Sequence, residues 1–350
     1  MTTTTTRRRV GIAGALVGAA SAGVAAAALA KRYAVGRIRL RPDTEASEPF
    51  GELRGRERTL VTSDGYALHV EIDGPEDAPL TVVLCHGYCL NLESWHYQRK
   101  DLRENYRIVL WDQRSHGRSQ RAEADDCTID RLGDDLAEVI EEFVPGPCAL
   151  VGHSMGGMTI MALADRHPEL FGDKIRAAAL IATSAGKLAE LTLGLPAMLS
   201  KIVHKLTPGT VSMLGKRGTW VDRTRHAGSD IAFLITRLFG FGDSKNVSPT
   251  LVDFAESMIR ATPTEVVANF YPALMNHDKL SALHVLDPVP TAILVGDRDW
   301  LTPPDHSKAI AGALPKAQLT EVPETSHLIQ MERPGIVNDA LRDLLKRVEI

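Results

Sequence analysis

Short apolar runs recur along the chain from about residue 58, separated by longer stretches with helical spacing. Thr59–Thr62 and Tyr66–Ile72 flank the turn Ser63-Asp64-Gly65 and predict an opening antiparallel pair. Thr81–Cys85, Arg107–Trp111, Cys148–Val151, Ala177–Ala182 and Thr291–Val295 follow. These runs are nearly continuous rather than alternating, the pattern of strands covered on both faces. Ile129–Phe143 and Met155–Arg166 lie between them with helical periodicity, and one more short strand precedes Ser326. The order predicts an α/β fold with a mostly parallel sheet flanked by helices.

From about residue 186 to 286 the alternation stops. Leu188–Leu206 (broken near Pro196), Ile231–Phe239, Thr250–Ile259 and Pro263–Met275 have helical patterns, and no convincing strand intervenes. An insertion of that length between two core strands predicts a helical cap over the carboxyl edge of the sheet. It is rich in Leu, Met and Phe, which predicts an apolar floor above the site as well as packing of the cap on itself. The expected division is therefore an N-terminal segment at 1–45, a core built from 46–185 and 287–350, and a cap at 186–286.

The N-terminus is a separate object. Thr2 to Thr6 precede Arg7-Arg8-Arg9, and Val10 to Ala30 carries no charge. A helix over residues 10–30 would just cross a bilayer core of about 30 Å. Three readings stand: a membrane anchor, a cleaved export signal ending at Ala28-Leu29-Ala30, or an Ala-rich extension. Arg7-Arg8-Arg9 also resembles a twin-arginine signal. The first two readings make the protein membrane-associated or exported. Residues 31 to about 55 are polar and contain Pro42 and Pro49, as a linker would. Residues 1 to about 45 are accordingly expected to be dispensable for folding and turnover.

Composition changes this picture little. The formal net charge is −4, with 44% hydrophobic and 24% charged residues, which permits a large core. No basic face interleaved with aromatics points to a nucleic-acid partner. Cys85, Cys89, Cys127 and Cys148 form no C-x-x-C pair, and Cys85 and Cys148 read as buried strand residues. The histidines lack ligand spacing such as H-E-x-x-H, so no metal is expected.

The candidate chemistry centres on Gly152-His153-Ser154-Met155-Gly156. A G-x-S-x-G match arises by chance on the order of one time in ten in a chain this long. Here an apolar strand leads in and a helix leads out, so the two glycines permit a sharp turn that holds the hydroxyl clear of the sheet. A serine hydroxyl needs a base, and the base an orienting carboxylate. Asp299 lies in a loop after the Thr291–Val295 strand, and Ser326-His327 follows the next short strand. Asp299 is preferred to Asp297, which directly follows the strand end. Tyr88, after His86-Gly87, and Met155, after the serine, are placed to donate backbone N–H groups to an oxyanion.

Five blocks in order now resemble the α/β-hydrolase superfamily, in particular its capped esterase, lipase and haloperoxidase-like branch. They are His86-Gly87, Asp112 to Ser119, Gly152 to Gly157, Gly296-x-x-Asp299, and Ser326-His327 with Glu332 and Pro334. The resemblance covers residues 58 to 346. It implies an eight-stranded sheet, Ser154 as nucleophile, His327 as base, Asp299 as acid, Tyr88 and Met155 as oxyanion donors, and no cofactor. Asp112 and Arg114 match a structural loop motif. Ser115 departs from the pattern, since relatives usually carry Gly there. Serine at the elbow argues against epoxide hydrolases and haloalkane dehalogenases, which place Asp there. The expected activity is hydrolysis of carboxylic esters with an apolar acyl chain, on a small-molecule or lipid-like substrate. A C–C hydrolase, lyase or cofactor-free perhydrolase on the same residues is the enzymatic alternative, and a non-catalytic binding module the remote one.

Overall fold

The computed structural model of the chain describes residues 35–190 and 229–348. The expected anchor or signal at 10–30 and most of the expected helix Leu188–Leu206 lie outside the described residues. Among the described residues, no helix is long and apolar enough to cross a membrane.

Eight strands form one sheet in the order β1-β2-β4-β3-β5-β6-β7-β8. They are β1 Arg56–Val61, β2 Ala67–Asp73, β3 Thr81–Cys85, β4 Arg107–Trp111, β5 Cys148–His153, β6 Ile175–Ile181, β7 Thr291–Gly296 and β8 Gln318–Val322. β2 runs antiparallel to both β1 and β4, and the remaining pairs are parallel. β3, β5 and β7 are buried at every position, which is why their sequences read as unbroken apolar runs. β1 begins at Arg56, earlier than expected. Its Arg56-Glu57-Arg58 start is exposed, and a charged edge strand carries no apolar signal.

Helices cover both faces. We number them α1 His96–Leu102, α2 Ile129–Phe143, α3 Met155–Arg166, α4 Ser229–Gly240, α5 Pro249–Ala261, α6 Thr264–Met275, α7 Pro304–Ala313 and α8 Pro334–Lys346. Alternate residues of one strand feed two cores. Val83 joins Leu136, Val139, Ile160 and Ile310 from α2, α3 and α7, whereas Val82 and Leu84 join Trp95, Leu102, Leu341 and Leu344 on the α1 and α8 side. Cys85 and Cys148 are buried and free, as expected for strand residues.

α4, α5 and α6 come from the interval predicted to be a cap and match the expected helices within a few residues. They pack in two satellite clusters. Phe233 and Phe241 join Leu251, Val252 and Met258 of α5, together with Leu328 and Met331. Val266, Phe270 and Leu274 of α6 meet Met155 and Met158 of α3. Much of the apolar content of α4, α5 and α6 is therefore used in packing.

The polar stretch after residue 34 is not a free linker. Val35, in a short helix at residues 35–39, is buried against the α4–α5 cluster. Arg39 pairs with Asp253 at 3.0 Å and lies over the Phe233 ring. Asp43 accepts the Thr250 N–H at 3.2 Å, the Thr250 hydroxyl at 2.6 Å and the Ser248 hydroxyl, capping α5 from outside. Phe50 stacks on Phe254 with centroids 4.6 Å apart, and Glu48 receives His96 and Lys100 of α1. The segment thus straps α5 to α1. Val35 is buried and Phe50 half-buried on an otherwise polar stretch, which gives no periodic signal; residues 35–45, expected to be dispensable, make contacts with α5 and its cap. Asp43→Ala should cost about 1–2 kcal/mol, the usual loss of a helix cap. A fall of several degrees in Tm by circular dichroism checks it; an unchanged melt would mean the strap carries no stability.

Candidate active site

The register of the sheet assembles the site. Cys85 at the end of β3 pairs with Gly152 in β5, at the point where chain order reverses, so the two following turns emerge side by side. After β5 the chain turns through Ser154, whose φ of 53° and ψ of −117° lie on the left-handed side that a Cβ disfavours. The turn is over-determined by its neighbours. Ser154 N–H donates to Ile181 O at 2.9 Å, and Thr183 Oγ1 donates to Ser154 O at 2.7 Å. A Cβ at Gly156 would lie 2.0 Å from Cys85 O, and one at Gly87 would lie 2.6 Å from His153 Nδ1. Both glycines are therefore required by close approach rather than by φ.

Ser154 Oγ stands 2.9 Å from His327 Nε2, and His327 Nδ1 stands 2.8 Å from Asp299 Oδ2. A carboxylate only accepts, so Nδ1 carries the proton and Nε2 is left to accept from the serine hydroxyl. Asp299 is buried and its oxygens are fully engaged. Oδ1 accepts the Leu301 and Thr302 N–H groups at 2.8 and 3.0 Å, and Oδ2 also accepts the Thr302 hydroxyl at 2.8 Å. Burial alone would raise the Asp299 pKa, but the charge and hydrogen bond of His327 and the Thr302 donors hold it below its ordinary value. Asp297 is exposed and accepts the Thr325 N–H at 3.2 Å, a turn contact away from His327.

Met155 opens α3, where the first amides have no acceptor within the helix. The Tyr88 side chain lies in the same apolar cluster as Met155, and its hydroxyl donates to Val267 O of α6 at 2.5 Å.

The surroundings contain residues that sequence reasoning missed. His153 Nε2 donates to His327 O at 2.9 Å, fixing the main chain at His327. Glu332 accepts N–H groups from Ser326, Gly242 and Asp243 at 2.9, 3.0 and 2.8 Å, tying the His327 loop to the chain after α4. Thr302 lies three residues after Asp299, a local capping pattern that could have been read. His153 and Glu332 were visible only as motif letters. Ser115, the departure from the family pattern, adopts φ 66° and accepts the Ala122 N–H at 2.9 Å on its hydroxyl, so it takes the conformation that Gly would. Asp112 accepts the Leu92 and Arg118 N–H groups, and Arg114 forms a buried pair with Asp135, so both are structural.

Among the described residues, Glu57, His69 and Glu71 cluster closely enough to hold a metal ion. Arg118 already pairs with both carboxylates and Arg99 with Glu71, so the charge is met. A cavity of about 380 Å³ opens beside Ala185, Lys187, Asp278 and His306, and no triad position lines it.

Four histidines near the site are buried neutral. Burial pushes His86 and His153 down to about 3, and His116 and His277 to about 4. Their folded values lie below the unfolded value near 6.5. Between pH 6.5 and 4 the unfolded chain therefore binds more protons, and stability falls as pH falls, by up to ~1.4 kcal/mol per pH unit for each group. Tm should drop by several degrees between pH 7 and pH 5, above the range where most carboxylates titrate. A flat Tm over that range would contradict the burial.

A family model described as alpha/beta hydrolase fold matches residues 81–334. An AB hydrolase superfamily protein YfhM of Bacillus subtilis is 28% identical over 298 residues, covering 82% of this chain and 97% of that protein. Epoxide hydrolase 1 of Caenorhabditis elegans is 23% identical, covering 85% of this chain and 72% of that one. A thermophilic esterase from Thermogutta terrifontis superposes with a TM-score of 0.66 at 25% identity, covering 85% of this chain and all of the other.

Proposed function

Since the chain belongs to the alpha/beta hydrolase fold family, we propose that it is a serine hydrolase that cleaves carboxylic esters through an acyl-enzyme on Ser154. The observation that carries this reading is the unbroken hydrogen-bonded line from Ser154 through His327 to Asp299. Ser154 Oγ adds to the ester carbonyl carbon as its proton passes to His327 Nε2. The carbonyl electron pair moves to oxygen, where the Met155 and Tyr88 amides receive it. Collapse expels the alcohol, which takes the proton from His327, and water then releases the acid by the same steps in reverse.

The likeness to an epoxide hydrolase does not extend to this chemistry. Serine opening an epoxide would form an ether, which the triad has no carbonyl to attack. A carboxylate nucleophile instead forms an ester that water can hydrolyse. Serine at residue 154 therefore favours acyl transfer.

The acyl group is taken to be medium or long and apolar, and the cap helices α4 to α6 its enclosure. Phe239 and Leu238 at the end of α4, and Trp300 and Leu301 beside Asp299, leave exposed apolar surface next to the His327 loop, where Ser326 Oγ donates to Phe239 O at 2.9 Å. Each methylene buried contributes about 0.8 kcal/mol, so moving from a four- to an eight-carbon acyl chain should raise kcat/KM about a hundredfold. A series of p-nitrophenyl esters below their micelle limits tests this. A maximum at two carbons with a steep fall by eight would reject the acyl reading.

A further inference from the structure

The oxyanion donors sit on two different elements, Tyr88 on the turn after β3 and Met155 on the first turn of α3. Where these elements meet, backbone lies against backbone. A Cβ at Gly156 would be 2.0 Å from Cys85 O and 2.8 Å from His86 O. A contact of bare main chain can slide, yet an oxyanion hole needs both N–H groups at fixed reach of one oxygen. Something must set the spacing laterally.

Gln113, just beyond β4, spans the two elements. Its side chain is fully buried. Gln113 Nε2 donates to His86 O at 2.6 Å, and Oε1 accepts the hydroxyl of Thr159, on α3, at 2.6 Å. Gln113 N–H donates to His86 Nε2 at 2.9 Å. With Nε2 accepting, the His86 proton sits on Nδ1, which donates to Gly87 O at 2.8 Å. One amide side chain thus holds the nucleophile helix with its acceptor and the His86-Gly87 turn with its donor.

We propose that Gln113 is a positioning residue that sets the separation of the Tyr88 and Met155 amides, and so the quality of the oxyanion hole. The proposal rests on the reading of Ser154 as an acylating nucleophile. The brace requires a donor at one side and an acceptor at the other, at this length. Glutamate would turn an acceptor toward His86 O, asparagine would be too short, and methionine would leave His86 O unpaired and the Thr159 hydroxyl with only Met155 O, 3.0 Å away, as its acceptor.

The test compares Gln113→Met, Thr159→Val and Thr159→Ser with the wild type. The concentration of active sites is counted first with a fluorophosphonate. Gln113→Met should lower kcat per labelled site by ~10–100-fold with KM within threefold, a fraction of the loss expected from removing a donor outright. Thr159→Val should follow in the same direction, Thr159→Ser should retain activity, and the double variant should be no worse than Gln113→Met alone. The specific readout is inhibitor affinity. A trifluoromethyl ketone takes Ser154 Oγ at its carbonyl carbon, its oxygen becoming an oxyanion as the serine proton moves to His327. Its affinity should weaken in proportion to kcat/KM, while the matching methyl ketone, bound without that oxyanion, should be unaffected. Equal weakening of both ketones, or unchanged kcat per site in Thr159→Val, would overturn the proposal even if Gln113→Met fails to fold. A wild type that takes no fluorophosphonate label would instead overturn the ester reading on which it stands.

Discussion

Ser154→Ala should reduce ester turnover by about 10⁶-fold, the loss seen when a triad nucleophile is removed, and should abolish fluorophosphonate labelling. The effect follows from geometry. Ser154 Oγ is the atom 2.9 Å from His327 Nε2. The substitution should leave the fold intact, because the backbone contacts of the turn, from Ile181 O to Thr183 Oγ1, do not use the side-chain oxygen. Removal of a left-handed serine for a left-handed alanine exchanges one Cβ for another, so the strain is unchanged. Kinetics with p-nitrophenyl esters, alongside a thermal melt, check both halves. Labelling of the alanine variant at the wild-type rate would move the nucleophile elsewhere.

Asp299→Asn should lower kcat by about 10⁴-fold, the effect of presenting the histidine with the wrong hydrogen-bonding partner. The asparagine would keep an acceptor oxygen for the Leu301 and Thr302 amides, but could turn an NH₂ toward His327 Nδ1. That would favour the tautomer with the proton on Nε2, where it can no longer accept from Ser154. Asp297→Asn should change kcat by less than about tenfold, since that carboxylate is exposed and serves a turn. Measuring both variants under one set of conditions decides between the two carboxylates. The reverse pattern would assign the acid to Asp297.

The elements that could be read from the sequence share a physical cause. Strands β3, β5 and β7 are buried on both faces, so composition alone marks them. The turn at Ser154 is local, with its two flanking glycines set by contacts within a few residues or with the adjacent strand. His327 and Asp299 could be placed because each ends a run at the carboxyl edge of the sheet. Gln113 and Thr159 are 46 residues apart and meet only through the parallel packing of β3, β4 and α3, a juxtaposition no spacing rule encodes. The N-terminal strap was illegible for a related reason. Asp43 finds Ser248 and Thr250 some two hundred residues away, and a capping carboxylate on a polar segment looks like any solvated charge. The apolar residues in and just after α4 divide between packing and exposure, a division that composition does not show. Phe233 and Phe241 are buried among α5 and the His327 side of the core, whereas Leu238 and Phe239 stay exposed.

The proposed ester cleavage would pass through one covalent bond, between the acyl carbon and Ser154 Oγ. An acid quench during steady turnover of p-nitrophenyl octanoate, followed by digestion and mass spectrometry, reads that bond directly. Catalysis through Ser154 requires an octanoyl group on the peptide containing that serine, present in the wild type, accumulating further in Asp299→Asn if deacylation is slowed more than acylation, and missing in Ser154→Ala. An octanoyl adduct on another residue, or rapid wild-type turnover with no adduct under conditions where a burst of p-nitrophenol shows that one should accumulate, would contradict it.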